Sequence, residues 1–473
     1  MSVDRLIAHR SPDARLAARA GVEIGAGQFV ADALALARLL PPAQYVLNSC
    51  SDRYHFAVGF CAALVAGRMT LLPPSRAPET LAHLAMRFPD TLYIGDDSGS
   101  IAWHRSGIAP TRWQSEPSSA WPPPAIERDQ VAAIAFTSGS TGEPQAYSKT
   151  WGGLVDGARA EIAALRLTEH SVDDFVLIGT VAPQHMYGFE TTVLMALQGP
   201  CAFAAEHPLH PDEVRAVVAQ SSGRRVLITA PVHLRALIEA SPLMPAMHCV
   251  VSATAPLAAE LAARCETMWS TRLFEIYGCT ETGMVATRRP IDGPTWTTMR
   301  DVRIERQGDA FIAYGGHVQH GQLADRLRLF TDSTFVLEGR AGDVVNIGGK
   351  RASLDGLNRL LLSIDGVVDG VIFEPAAADT TREQRLMALV VAPRLTRAEV
   401  LAALRAQVDA AFLPRPLLRV DALPRNAQGK LPKAELLALA EKTLHALSVR
   451  QPRRTGTVAG TENARPKSIT SRH

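Results

Sequence analysis

The chain has 473 residues, 47% of them hydrophobic and 20% charged, with 49 Lys and Arg against 47 Asp and Glu. That balance excludes a disordered polyelectrolyte and gives no electrostatic case for a nucleic-acid or membrane surface. The length exceeds what one core of ordinary size holds. No N-terminal stretch has signal-peptide character, and no run reaches the ~18 apolar residues of a membrane span, so a cytoplasmic protein is expected. Six cysteines (Cys50, Cys61, Cys201, Cys249, Cys265, Cys279) include no C-x-x-C pair and read as reduced core residues.

In chain order, residues 29–40 have the helical spacing of Leu and Ala and stop at Pro41-Pro42. Residues 45–49, 52–66 and 69–72 read as strand, helix and strand. Ser51 or Asp52 caps the helix and Gly67 ends it, giving one parallel βαβ unit. Residues 106–124, with Pro122-Pro123-Pro124, read as a loop.

A short uncharged apolar run, 131–136, then enters Thr137-Ser138-Gly139-Ser140-Thr141-Gly142. By its residue types this cluster is either a surface turn or a phosphate cradle in which backbone N–H groups point at one anion. No Lys follows Gly142, so it is not a Walker A loop. Further strand-like runs follow at 175–183, 224–231, 247–257 and at the start of 272–283. The last opens into Tyr277-Gly278-Cys279-Thr280-Glu281. There an aromatic face suits adenine, a hydroxyl suits the α-phosphate and a carboxylate suits Mg²⁺. Alone, this reads first as a strand-end turn with a solvated Glu. Residues 308–345 alternate in the manner of antiparallel strands, as of a small barrel-like subdomain. Residues 358–447 alternate helix and strand patterns, and from Arg450 the chain reads as a disordered basic tail.

The loop TSGSTGEP at 137–144 resembles the signature of the adenylate-forming enzymes: acyl- and aryl-CoA synthetases, peptide-synthetase adenylation domains and luciferases. The order of later motifs supports the resemblance, which covers roughly residues 30–447. The segment 277–281 is similar to the family's Tyr-Gly-x-Thr-Glu. The stretch 423–433, with Pro424-Arg425 and Gly429-Lys430, is similar to its Pro-Arg-x-x-x-Gly-Lys. The resemblance implies an α/β fold: a large N-terminal domain of parallel sheets with a small β subdomain (1–340), a smaller mobile α+β C-terminal domain (341–448), then the tail (449–473). It also implies ATP and Mg²⁺ as cofactors and a carboxylic acid as substrate, with CoA or an acyl carrier protein as thiol acceptor.

Carried over residue by residue, the resemblance implies that loop 137–142 holds the β- and γ-phosphates. Ser252, Ala253 and Thr254 lie along adenine and the acyl pocket, in a turn that resembles Gly-Gly-x-Pro-Leu. Tyr277 and Gly278 meet the nucleotide, Thr280 the α-phosphate, and Glu281 the Mg²⁺. Asp325 takes both ribose hydroxyls, although Leu323-Ala324 replaces the family's Thr-Gly before it. Arg340 reaches the ribose or α-phosphate, and Arg351 faces phosphate. His185, Tyr187 and Gly188 belong to the acid pocket, and no Asp stands there to bind an α-amino group. Gly342 takes the hinge position. Gly348 and Gly349 give a pantetheine arm passage close to the backbone. Lys430 is the mobile catalytic lysine.

One departure stands in the loop itself: the family's Pro-Lys is here Pro144-Gln145, with Lys149 four residues on. The expected activity is ligation of an aromatic or short hydroxy acid to a phosphopantetheine thiol through an acyl-adenylate. A catalytically impaired nucleotide-binding regulator, a fatty-acyl-CoA synthetase and an oxygen-dependent luciferase are the alternatives.

Overall fold

The computed structural model describes residues 2–73, 78–95, 121–137, 145–167, 175–240, 244–340, 344–347, 350–375, 385–426 and 429–449. Two large sheets form its frame. The first has five strands in the order Thr91–Ile94, Tyr45–Asn48, Met69–Leu72, Val131–Thr137 and Gln145–Thr150. All neighbours are parallel except the final hairpin, in which Thr137 faces Gln145 and Ala133 faces Lys149. The helix Arg53–Val65 makes the crossover between Tyr45–Asn48 and Met69–Leu72, capped by the Asp52 carboxylate, which accepts from His55 N. Gly67 leaves it at φ +70. The expected βαβ unit is therefore observed with bounds moved by about a residue.

The second sheet has eleven strands. Its middle is parallel: Arg272–Cys279, Cys249–Ser252, Arg224–Thr229, Phe175–Gly179, Cys201–Ala204 and Arg15–Arg19. The central ones, Phe175–Gly179, Cys249–Ser252 and most of Arg224–Thr229, are short, rich in Val and Ile and buried on both faces, which is why their sequences read as apolar runs. One edge continues as antiparallel hairpins through Gly283–Arg288, Trp296–Thr298, Thr334–Arg340 and Asp325–Leu329. The 308–345 region is thus divided. Strands Arg303–Gln307, Ala310–Gly315 and Val318–Leu323 make a small separate sheet, while the two strands after it extend the large one. Alternation along one strand shows that it pairs, not with which neighbour, so the sequence did not separate the two groups.

Arg53 ties the two sheets. It lies fully buried at the start of its helix and donates to the Thr192 hydroxyl at 3.1 Å and to the carbonyls of Gly179, Val181 and Ala204 at 3.0 Å. Burial lowers its pKa to about 10, so it stays charged at neutral pH. A Cβ at Gly179 would sit 2.6 Å from this guanidinium, so the glycine makes room for it.

The last part of the described chain has cores of its own. One cluster runs from Val345 to Leu417, and another joins Phe373, Met387 and Leu389 to Leu436 and Ala440. Its elements are the hairpin Val344–Ile347 with Lys350–Ser353, the helices Leu354–Ser363 and Arg397–Arg405, the three-stranded sheet Asp369–Phe373, Met387–Val391 and Leu417–Arg419, and the helix Lys433–Val449. Among the described residues no helix is long and apolar enough to cross a membrane. Five of the six cysteines are buried, and all six are free thiols.

Candidate active site

Strand ends and turns bring the candidate residues together. The strand Arg272–Cys279 turns through Thr280, Glu281 and Thr282 into Gly283–Arg288. Two glycines allow that turn. Gly283 has φ +75, and a Cβ on Gly278 would collide with the Gly283 carbonyl. Tyr277 packs its ring 5.7 Å from those of Trp296 and Phe335 and donates its hydroxyl to Asp325 Oδ2 at 2.8 Å. Asp325 pairs in register with Arg340 across the edge hairpin. Tyr277, Asp325 and Arg340, three of the residues expected around the nucleotide, are therefore neighbours along this edge.

The phosphate-loop hairpin reaches the same turn. Lys149 Nζ, on Gln145–Thr150, donates to the Glu281 carbonyl at 2.9 Å. Burial pulls its pKa down against the opposing fields of Glu190, Cys279 and Glu281. Gln145 lies exposed, with Oε1 accepting from the Tyr147 hydroxyl at 2.8 Å. Thr137 ends the preceding strand. Ser138, Gly139, Ser140, Thr141 and Gly142 lie outside the described residues, as do Gly342, Gly348, Gly349 and the tail from Arg450. Arg340 ends its strand, and Arg351 stands in the strand Lys350–Ser353.

The acid-pocket segment follows Phe175–Gly179. His185 caps the helical turn Met186–Gly188, its Nδ1 accepting from Tyr187 N at 3.3 Å. The helix continues as a π-helix, Phe189–Leu194, and then as Met195–Gln198. Such wide turns inside helices recur at functional sites. Gly188 admits the close approach of the Ala182 carbonyl, which a Cβ would strike. Tyr187 is buried. Its hydroxyl lies 3.0 Å from Val251 O and 3.2 Å from Thr229 O, one proton shared between two carbonyls, so it joins two neighbouring strands near their ends. Burial, and then the charge of Lys430, push the His185 pKa down to about 3. The imidazole is neutral at physiological pH, and Lys430, on the far module, lies within reach of its field.

Lys430 is exposed and follows Gly429. Its N–H donates to Asn426 Oδ1 at 2.9 Å. Gly429, at φ +74, sits against Val232 of the helix Pro231–Ala240. Arg235 of the same helix donates to the Val367 carbonyl at 2.8 Å. These contacts hold the lysine loop against the large sheets.

The turn 252–257 lines the remaining side. Ser252 is fully buried, Ala253 nearly so, and Thr254 stands at φ +79, a costly conformation for a β-branched residue. The Ser252 and Thr254 hydroxyls are buried with no hydrogen-bond partner among the described residues. Buried polar groups are normally paired, so these two are the acceptors and donors a ligand would satisfy. The far end of the turn is fixed by Glu275. That carboxylate accepts from Leu257 N at 3.1 Å and pairs with Arg288 at 2.6 Å.

Two acids here were not foreseen. Glu190, on the π-helix, and Glu161, on Trp151–Ala164, are both buried. Burial raises Glu161 well above the carboxylate range, with Glu190 adding to the effect. Burial also raises Glu190 to about 7, against the field of Lys149. Their signal in the sequence was a single Glu inside each of two apolar helical stretches, GARAEIAAL and MYGFETTVLMAL.

For Mg²⁺ the donor set fits. Glu281 supplies one carboxylate in the turn after Arg272–Cys279, and Mg²⁺ commonly takes one or two carboxylates with phosphate oxygens and waters. No cluster of three or more His, Cys, Asp or Glu suited to an all-protein metal site occurs among the described residues.

A doubly sheeted α/β frame with the candidate turns at its strand ends, joined to a smaller C-terminal module, is the architecture of the adenylate-forming enzymes. The chain belongs to the AMP-binding enzyme family, whose model matches residues 9–308. It is 25% identical over 367 residues to a salicylyl-CoA synthase / salicylate adenylyltransferase from Streptomyces sp., a match covering 66% of this chain and 63% of that protein, just under two thirds of its length. It is 28% identical over 312 residues to a 4-coumarate–CoA ligase from Rhodobacter capsulatus, covering 65% of this chain and 76% of that one. The fold is shared with ATP-bound MatB from Rhodopseudomonas palustris at a TM-score of 0.75 and 20% identity, over 92% of this chain and 97% of that chain.

Proposed function

We propose that the protein is an ATP-dependent acid–thiol ligase that activates an aromatic or short hydroxy acid and passes it to the phosphopantetheine thiol of a carrier protein or CoA. The observation that carries this reading is the convergence of three segments on one turn: Lys149 of the loop hairpin donates to the Glu281 carbonyl at 2.9 Å, and Tyr277, four residues before Glu281, donates to Asp325 at 2.8 Å. The aryl acids named for the two relatives support the aromatic class.

In the first half-reaction a carboxylate oxygen bonds to the α-phosphorus of ATP, the bond from that phosphorus to the bridging oxygen breaks, and pyrophosphate leaves. Such a transfer asks the protein for positioning and charge neutralisation. Lys430 bridges the carboxylate and α-phosphate as charge moves between them. Thr280 and Arg351 hold the α-phosphate, and loop 137–142 holds the leaving phosphates. Asp325 and Arg340 fix the ribose, and Tyr277 supports adenine. Glu281 would hold Mg²⁺, which supplies neutralisation of phosphate charge when bound. His185, neutral, offers its ring to the acid without repelling Lys430.

In the second half-reaction residues 341–448 turn about Gly342 and Lys430 withdraws. The pantetheine thiol, losing its proton to solvent, attacks the acyl carbon past Gly348 and Gly349, and AMP leaves. Pyrophosphate exchange across a panel of acids tests the reading; no exchange with any acid overturns it. ATP binding without exchange is the signature of the regulatory alternative.

A further inference from the structure

Gln145 removes a cation from the phosphate loop, and Lys149 is the obvious substitute. The geometry gives it a different task. Gln145, Tyr147 and Lys149 alternate onto one side of the strand Gln145–Thr150, and four residues at ~3.4 Å each separate Gln145 from Lys149 by roughly 14 Å. The Lys149 ammonium is engaged at the other end of the hairpin, on the Glu281 carbonyl. That carbonyl belongs to the tight turn between Arg272–Cys279 and Gly283–Arg288.

Glu190 closes on the same turn from the helix side. Its Oε1 lies 2.9 Å from where a Cβ of Gly283 would stand, so only a glycine fits between them. The Lys149 charge faces Glu190, Cys279 and Glu281. Behind Glu190 stands Glu161. His317, whose Nε2 bonds the Met284 carbonyl at 2.6 Å, feels Lys149 from the third side, with Asp156 near it. A cation half-buried among these groups, with its amine on a backbone oxygen, holds that backbone in one position.

We propose that Lys149 is a positioning residue for Glu281: its ammonium, balanced by Glu190, clamps the backbone of the 280–283 turn so that the Glu281 carboxylate faces the nucleotide's Mg²⁺. This rests on the ligase reading for its purpose, though not for its geometry. Burial of both partners gives the clamp its stiffness.

The test is the Mg²⁺ dependence of pyrophosphate exchange and of ATP binding in the full chain, for wild type, Lys149→Met, Lys149→Arg, Glu281→Gln and the double variant Lys149→Met with Glu281→Gln. Loss of one charge-assisted hydrogen bond predicts that Lys149→Met raises the half-saturating Mg²⁺ about tenfold, with the KM for the acid within about twofold. Lys149→Arg, which still donates to the carbonyl, recovers most of that shift. In the Glu281→Gln background, Lys149→Met adds nothing further to the Mg²⁺ dependence, because the group it positions is already gone. An unchanged Mg²⁺ dependence in Lys149→Met, or a shift as large in the Glu281→Gln background as in wild type, overturns the proposal. If Lys149→Met does not fold, Lys149→Arg and Glu190→Gln decide it by the same readout, with a wild-type Mg²⁺ dependence in Glu190→Gln counting against the clamp. A wild type that binds ATP with Mg²⁺ but exchanges no acid sinks the ligase reading alone, and the binding data then decide the clamp. A wild type that binds no ATP sinks both.

Discussion

Replacing Glu275 tests how the site's frame is held. Glu275 lies on the strand Arg272–Cys279 with its side chain 5% exposed, and Arg288, opposite it on the next strand, is 13% exposed. Arg288 also lies 4.6 Å over the Trp296 ring, against which Tyr277 packs. Burial raises the Glu275 pKa, and Arg288 and the Leu257 N–H oppose that rise, so the pair is made of charges that need each other. Glu275→Ala leaves a buried guanidinium without a counter-charge, a change that costs about 3–5 kcal/mol. It also orphans the Leu257 N–H; the two losses share a partner and do not simply add. Glu275→Gln retains an acceptor for Leu257 and the packing volume, so it costs less, by about 1 kcal/mol for the hydrogen bond kept. Glu275→Ala with Arg288→Met removes both charges and is expected to be more stable than Glu275→Ala alone. Urea unfolding followed by tryptophan fluorescence measures all three. The KM for ATP should rise in the alanine variant, because Leu257 ends the turn that carries Ser252, Ala253 and Thr254. An alanine variant within about 1 kcal/mol of wild type, or a double variant less stable than Glu275→Ala, refutes the reasoning.

Three further outcomes follow from the same geometry. Lys430→Ala should abolish exchange while leaving unfolding unchanged, because the side chain is exposed; thiol transfer from supplied acyl-adenylate should persist, and loss of both steps contradicts the two-position role. The Glu161–Glu190 pair gives stability a pH dependence. A carboxyl whose folded pKa is raised binds more protons folded than unfolded, so its contribution is present at low pH and lost as pH rises from 4.5 through about 7, on the order of 1 kcal/mol per unit. Wild type should therefore lose stability relative to Glu190→Gln between pH 5 and pH 8, and parallel pH profiles would show that the pair does not titrate there. Thr254→Gly should cost no stability, because relief of φ +79 offsets the glycine's extra unfolded entropy of about 1 kcal/mol; a loss above about 2 kcal/mol in thermal unfolding contradicts the strain.

What was legible in the candidate site is local. Thr280 and Glu281 stand within one turn, and Gly278 is demanded by that turn's own closeness, so a short motif, once its resemblance to the family was recognised, brought these residues to one place. Asp325 was carried over from the resemblance despite the Leu323-Ala324 before it, and the edge hairpin sets it in register opposite Arg340. What stayed hidden was tertiary. Nothing near Tyr187 in sequence says that its hydroxyl reaches the ends of two strands 42 and 64 residues away. The strand Gln145–Thr150 was not foreseen because QAYSKT is polar and half-exposed at a sheet edge, where burial imposes no apolar pattern. The helix Lys433–Val449 was likewise not called: the KAELLALAEKTLHALSV stretch was grouped with the preceding pattern.

The charged residues divide along the same line. A surface carboxylate such as Glu213 answers to its own helix end, bonding the N–H groups of Leu209 and His210, and its neighbours in sequence account for it. Lys149 and Glu190 lie 41 residues apart in sequence, on an edge strand and a widened helix, and each acquires its meaning from a turn that neither contains. A buried charge is expensive unless matched, so a Glu within an apolar helix signals in advance that a cation or a shared proton stands opposite it. Here both are present. Lys149 answers Glu190, and the second acid, Glu161, is held neutral by burial and by its neighbour. The glycine at 283 completes the constraint: with any side chain there, Glu190 and the turn that carries Glu281 could not approach as they do. The backbone of the turn that carries Glu281 is therefore held by residues drawn from the hairpin Val131–Thr150, the helix that holds Glu190 and the strand Arg272–Cys279 together. Those are the three segments that must agree for a carboxylate and a triphosphate to meet.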